Sequence, residues 1–172
     1  MLTDETHEYL GHRAYQMEST SDDISREELE RILELEIEIV NASAKEDSAM
    51  VRICERRLFE YLDDLETKYG PLPRILDRRA DFTDDPMVRL TLYNQAYVLA
   101  DARGDVCNQL CIASSLGRLY IEDFRNVKEG QRWLDVVKEH LKRTGDDTDV
   151  EEYEELKADL ERLTLISLDG AP

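Results

Sequence analysis

The stretch DDPMVRLTLYNQAYVLADARGD, residues 84–105, contains the signals for both ends of one helix. Asp85 followed by Pro86 is typical of a helix start, since the carboxylate accepts backbone N–H groups of the first turn and proline tolerates the first helical position. Gly104, followed by Asp105, is typical of a helix end. The spacing predicts a helix over 86–103.

The same pattern continues toward the C-terminus. It predicts helices over 106–123 and 126–144, then a loop over 145–149. A last helix follows, with apolar residues that step by three and four, as one face of a helix requires: Tyr153, Leu156, Leu160 and Leu163.

Toward the N-terminus, another helical seam is formed by Val51, Cys54, Leu58, Tyr61, Leu65 and Tyr69. Gly70 is predicted to end this helix in the left-handed conformation, and Pro71 and Pro73 prevent its continuation. A short helix is predicted over 74–80, and an N-terminal helix over 3–18.

Residues 33–40 alternate strictly between apolar and acidic side chains, which is a strand pattern. Leu29, Leu33, Ile37 and Val40 also form a helical stripe. Ser25 and Glu28 open this segment with the spacing of a capping box, in which each side chain accepts the other residue's backbone N–H. Both structures are open on pattern alone, and the lack of a second strand favours a helix.

About seven helices joined mostly by loops of two to five residues predict an all-α fold of antiparallel helical hairpins. No stretch has linker composition. We therefore expect one helical domain over residues 1–166 and a C-terminal tail over 167–172.

Forty acidic residues oppose 22 basic ones, so the net charge is −18. This excludes a basic footprint for direct nucleic-acid binding and argues against docking on anionic membranes. Residues 1–50 carry −10, residues 51–100 carry −1 and residues 101–172 carry −7. The charge serves solubility, docking of a basic partner, or both. No apolar run is long enough for a membrane span or a signal peptide, which predicts a cytoplasmic protein.

Candidate chemistry is sparse. Cys107 and Cys111 share a helix face and could supply two ligands to a soft metal, but small core residues are the favoured interpretation. His7 and His12 are five apart, so their rings diverge by about 140° on a helix. No phosphate-binding glycine loop and no nucleophile with a base are present. We predict no catalytic residue, no metal, no cofactor and no enzymatic activity.

The segment Leu116-Gly117-Arg118-Leu119-Tyr120, followed by Gly130, Leu134 and Val137, resembles a tetratricopeptide repeat (TPR) over about residues 110–143. The match needs one extra residue in the turn at 124–126 and lacks the closing proline after Leu141. The resemblance implies a short TPR-like solenoid, in which Gly117 permits close helix approach and Tyr120 fills the groove. A plain helical bundle is the alternative fold.

In that family the first helix of each hairpin lines the concave binding surface. The resemblance therefore implies a partner-binding face made of Ser114, Arg118, Ile121 and Glu122, with Ile121 as an apolar anchor.

The combined features predict a non-enzymatic protein-binding module: an adaptor, a secretion chaperone, or an immunity or antitoxin-type inhibitor. The partner is another protein, for which a basic surface suits the acidic chain. An acidic nucleic-acid mimic that inhibits a DNA-binding protein is the alternative, suggested by Glu34, Glu36 and Glu38. An unrecognised enzyme ranks below both. The sequence does not decide the oligomeric state.

Overall fold

The computed structural model describes residues 24–144 and 147–169. These residues form seven helices and no strand, and 87% of them are helical. The predicted all-α class is therefore confirmed, and residues 33–40 are helix. The helix predicted over 3–18 lies outside the described residues.

The helices are α1 (Arg26–Ser43), α2 (Ser48–Tyr69), α3 (Pro73–Asp81), α4 (Pro86–Arg103), α5 (Val106–Glu122), α6 (Val127–Thr144) and α7 (Asp147–Asp169). The chain divides into two compact units, Met1–Ile75 and Leu76–Pro172. The expectation of a single domain over 1–166 stays a prediction.

The ends of α4 follow the predicted signals. The Asp85 carboxylate accepts the backbone N–H groups of Met87 and Val88, at 2.8 and 3.4 Å. Gly104 adopts the left-handed conformation and donates to the carbonyl of Asp101, at 3.0 Å. The next residue, Asp105, donates to the Ala100 carbonyl and then caps α5 by accepting the N–H of Asn108. One glycine thus ends α4 and places the cap of α5.

The predicted capping box begins α1. The Ser25 hydroxyl accepts the Glu28 N–H, and the Glu28 carboxylate accepts the Ser25 N–H. The same carboxylate accepts Lys68 Nζ at 2.8 Å and Tyr69 Oη at 2.7 Å from the end of α2. Glu28 therefore joins α1 to α2 in addition to capping α1.

The α1 and α2 helices pack as an antiparallel pair, with a face different from the predicted one. The buried residues of α1 are Leu29, Ile32, Leu35, Glu36, Ile39 and Ala42. Leu33, Ile37 and Val40, which the predicted stripe placed in the core with Leu29, are half-buried. The stripe did not identify the buried face, because apolar residues occupy both sides of α1. Their periodicity alone does not select the side that is buried.

Two details of α2 also differ from the prediction. Leu62 is buried, whereas Tyr61 is half-buried. Gly70 ends the helix at φ +76° and ψ −174°, outside the left-handed helical region predicted for it. This backbone conformation is essentially confined to glycine. The sequence therefore indicated correctly that a glycine ends the helix, but it did not indicate which conformation that glycine adopts.

In the second unit, α5 is the central helix. It packs against α4 and α6, its neighbours in sequence, and α7 packs across both α5 and α6. This arrangement of neighbouring pairs is compatible with a helical-repeat-like fold. Fully buried Leu116, Leu119 and Val137 lie in the core shared by α5 and α6.

Two glycines of this unit lie at contacts between helices, and only one of the contacts is close. A Cβ atom built on Gly117 would lie 3.5 Å from Leu134 Cδ1, which is an ordinary contact with α6. A Cβ atom on Gly130 would lie 2.9 Å from Ile121 Cγ1 and 3.1 Å from Leu160 Cδ1. Gly130 is therefore the point where α5, α6 and α7 converge.

The last helix is longer than predicted, because it continues to Asp169, into the segment expected to be a tail. In the final turns, the Thr164 hydroxyl donates a hydrogen bond to the Leu160 carbonyl, and the Ser167 hydroxyl donates one to the Leu163 carbonyl. These polar side chains are thereby accommodated in the helix. Leu165 and Ile166 in these turns are exposed.

We expect Glu28→Gln to destabilise the protein by about 1 kcal/mol at pH 7, the usual cost of weakening a helix cap. The Lys68 ammonium and the Tyr69 hydroxyl lower the pKa of Glu28 from 4.5 to about 2. The stabilisation is present above pH 4.5 and is lost as the pH falls toward 2. Thermal unfolding of both proteins across this range tests it.

The matched control is Glu30→Gln, which removes an exposed ion pair with Arg26 and should change the melting temperature little. If the difference in melting temperature between wild type and Glu28→Gln is the same at pH 7 and at pH 3, the role assigned to the Glu28 carboxylate is contradicted.

We expect Gly130→Ala to destabilise the protein by about 1–3 kcal/mol, because the added methyl overpacks the contact with Ile121 and Leu160. Gly117→Ala is the matched control. Its methyl has room, and the gain in helix propensity should stabilise by up to about 1 kcal/mol. Urea denaturation of both variants measures the sign of each change in the free energy of unfolding. Equal changes in the two variants would contradict the described packing.

Candidate functional site

One narrow face of α5 is accessible to solvent. It consists of half-buried Cys107, Cys111, Ser115 and Arg118 and exposed Glu122, which we call the α5 stripe. At about 100° per residue these positions fall within an arc of about 80°. The other α5 residues are buried, except Val106 in the first turn and Tyr120, whose ring packs against Phe124.

The predicted partner-binding face shares only part of this stripe. Arg118 and Glu122 are accessible as expected, but Ser114 is 4% exposed and Ile121 is 5% exposed. The prediction that Ile121 projects from the hairpin as an anchor is wrong. Whether Arg118 and Glu122 bind a partner stays a prediction.

The physical reason for the correction is α7. Ile121 belongs to an apolar cluster with Leu134 of α6 and with Leu156, Leu160 and Leu163 of α7. Ile121 lies against α6 at Gly130 and Leu134, and α7 completes its burial. The accessible face is thereby rotated toward Cys111 and Ser115.

Arg118 occupies one end of the stripe between two carboxylates. Its guanidinium lies 3.4 Å from Glu122 Oε1, one turn later on α5, and 3.4 Å from Glu152 Oε1 on α7. The Arg118 side chain is 36% exposed. The cluster is a charged, accessible group of donors and acceptors at the boundary of two helices.

The other end of the stripe has small, weakly polar side chains. Cys107 and Cys111 are half-buried, so the expectation that both are core residues is wrong. Cys54 on α2 is buried. With Ser115, these two half-buried residues form the end of the stripe that has small side chains.

Acidic residues dominate the neighbouring helix. Over residues 147–162, α7 carries eight acidic and two basic side chains. Glu151, Glu154 and Glu155 are exposed. The charge next to Arg118 is therefore negative, which favours a positively charged ligand.

The acidic run of α1 is arranged differently. Glu34 pairs with Arg31 at 2.8 Å, Glu36 is 4% exposed, and Glu38 pairs with Arg57. The three carboxylates that suggested a nucleic-acid mimic therefore do not line up on one exposed face.

His140 of α6 packs into the core of the second unit. Its Nε2 lies 3.1 Å from Tyr97 Oη of α4, whose ring contacts Trp133 edge-on at 5.2 Å between centroids. Burial lowers the pKa of His140, and Arg143 acts in the same direction. The neutral imidazole suits this packed position. His7 and His12 lie outside the described residues.

Within residues 24–144 and 147–169, no group of three or more His, Cys, Asp or Glu side chains is placed to hold a metal ion. No helix in the same part of the chain is both long and apolar enough to cross a membrane.

No family model, no curated protein and no solved structure matches the chain. Inference about its site therefore depends on the residues themselves.

Sequence reasoning missed Cys111 and Ser115 as accessible residues, and it missed Glu152 as a partner of Arg118. One signal was present: Leu156, Leu160 and Leu163 form an apolar face on the last helix that must be buried somewhere. Assigning that face to α5 and α6 would have covered Ile121 and identified the stripe.

We expect Cys107 and Cys111 to react with a small maleimide much faster than Cys54 in the folded protein. Thiols in the α5 stripe meet solvent, whereas Cys54 is 2% exposed and requires opening of the first unit. Mass spectrometry of peptides after timed labelling measures the three rates. Similar rates at all three cysteines, without denaturant, would contradict the stripe.

Proposed function

We propose that this chain is a protein-binding module in which the α5 stripe holds a basic segment of a partner protein, as the inner helix of a TPR-like hairpin would. The observation that carries the proposal is one accessible line of side chains, small at Cys107, Cys111 and Ser115 and charged at Arg118 and Glu122, on a helix whose other residues are mostly buried. Such a line offers a shallow, preformed surface for an extended chain.

The packing of α7 supports the TPR-like part of the proposal. In stacked hairpins, the first helix of the next hairpin packs against both helices of the hairpin before it. The α7 helix has this relation to α5 and α6. Gly117 faces α6, as the family resemblance implies, although a Cβ atom there would make only an ordinary contact, 3.5 Å from Leu134 Cδ1.

The charges supply the chemistry of recognition. A lysine or arginine of the partner could replace Arg118 at Glu152 or contact the exposed acids of α7. Such pairs would raise the association rate and disfavour acidic partners. An adaptor, a secretion chaperone and an inhibitor of a basic toxin all fit this description, and they differ in the partner that supplies the segment.

The alternative of a nucleic-acid mimic is less favoured. It needs a row of accessible carboxylates at phosphate-like spacing, and the run that suggested it is buried or ion-paired.

A displayed library of random linear peptides tests the proposal. Wild-type protein should select peptides rich in lysine and arginine. Ser115→Trp fills the stripe and should weaken their binding by about tenfold or more, which corresponds to about 1.4 kcal/mol. The control is Gln95→Trp, at an exposed position on α4 of the same unit, which should bind normally.

Arg118→Ala serves as a second variant, since it removes atoms and cannot overpack the stripe. Because a basic partner residue replaces Arg118 at Glu152, this variant should bind basic peptides more tightly than wild type does. Its melting temperature should stay within about 2 °C of wild type. Selected peptides that bind wild type, Ser115→Trp and Arg118→Ala equally would overturn the proposal, and so would the absence of any selected peptide.

A further inference from the structure

Two cysteines share the accessible face of α5. Cys107 and Cys111 are four residues apart, at the end of the α5 stripe that has small side chains. The sequence allowed two interpretations of this pair, as core residues or as ligands of a soft metal. Both residues are half-buried, so each thiol is partly accessible and the first interpretation does not hold. The structure therefore favours the second.

The packing of α5 fixes the spacing of the two thiols. The three residues between them, Asn108, Gln109 and Leu110, are all buried, and Ile112 beyond them is fully buried. Asp105 holds the first turn by accepting the Asn108 N–H at 3.1 Å. Side chains four residues apart on such a helix have Cβ atoms about 5–6 Å apart.

This spacing prevents the two cysteines from forming a disulfide with each other. A disulfide requires Cβ atoms about 3.5–4.5 Å apart, and α5 would have to unwind between buried residues to bring them there. A single atom between the two sulfurs requires no such change. Side chains on a helix lean toward the preceding turn, so a side chain at position 111 covers the turn that contains Cys107. The geometry suits a bridging ion better than a direct bond.

The number of ligands selects the kind of ion. In the part of the chain that the structure describes, no third His, Cys, Asp or Glu side chain joins the two cysteines in a group that could hold a metal. Zinc takes three or four protein ligands, so two thiols are too few for it. Thiolates select soft ions, of which Cu(I) is the common example. With its filled d shell, Cu(I) is satisfied by two thiolates in a line.

We propose that Cys107 and Cys111 bind one Cu(I) ion between them as a pair of thiolates, on the accessible face of α5. Each thiol loses its proton on binding, so one bound ion releases two protons. The net charge of −18 attracts a cation to the chain. This site departs from the sequence-based expectation of no metal, and it does not depend on the binding of a partner segment.

Competition for Cu(I) between the reduced full-length chain and a coloured chelator, in the absence of oxygen, tests the site. Wild type should take up one ion per chain. The ion should stay bound in a roughly tenfold excess of Zn(II), because Zn(II) would lack further ligands here. The far-ultraviolet circular dichroism spectrum should not change on binding, since the helix already sets the spacing of the thiols.

Three variants test which thiols bind the ion. Cys107→Ser and Cys111→Ser should each weaken Cu(I) binding by about 100-fold or more, because the second thiolate acts at a high effective concentration once the first holds the ion. Cys54→Ala should bind Cu(I) as wild type does, since Cys54 is buried in the first unit.

A matched control keeps the number of thiols and changes only their relation on the helix. Cys107→Ser combined with Val106→Cys places the two thiols five residues apart, so that their directions diverge by about 140°. Val106 is half-buried, as Cys107 is. This shifted pair should bind Cu(I) as weakly as the single variants do.

Cu(I) uptake by wild type that is no tighter than uptake by Cys111→Ser would overturn the proposal. So would two ions per chain, displacement of the ion by Zn(II), or a shifted pair that binds as tightly as wild type. Circular dichroism and urea denaturation verify that each variant is folded. Peptide selection at the α5 stripe is a separate measurement, so failure of either proposal leaves the other to its own test.

Discussion

The packing of the second unit depends on the absence of a side chain at Gly130. Ile121 of α5 and Leu160 of α7 both approach the space that a Cβ atom would occupy. Because these two side chains meet over the backbone of α6, α7 lies across the α5–α6 pair instead of against one helix. That placement buries Ile121 and leaves the α5 stripe as the accessible face of the central helix. It also forms the next groove along the chain, between α6 and α7.

Helix boundaries could be predicted from the sequence because their causes are local. The caps at Ser25, Asp85 and Gly104 depend on hydrogen bonds within a few residues, and each lies where the residue types indicate. The faces of the helices could be predicted only in part. Ile121 and Leu33 were assigned to the wrong environment, since burial at these positions is decided by elements distant in sequence. An apolar residue on a helix indicates that another element must cover it, but it does not indicate which element does so.

The acidic composition has different consequences on different surfaces. On α1, carboxylates cap the helix or pair with arginines, so the acidic run contributes to packing and solubility. On α7, exposed acids adjoin Arg118 and give the α5 stripe a negative surrounding. The groove between α6 and α7 is lined by two acidic and two basic side chains.

The contact between Ile121 of α5 and the backbone of α6 at Gly130, on which the placement of α7 depends, is measured by a double-mutant cycle of Gly130→Ala and Ile121→Ala. Truncation of Ile121 removes Cγ1, the atom nearest to the added methyl, so the double variant should be more stable than the sum of the single effects predicts. We expect a favourable coupling of about 1 kcal/mol or more in the free energy of unfolding. Additivity within about 0.5 kcal/mol would show that the two residues do not meet, and would contradict the packing that buries Ile121.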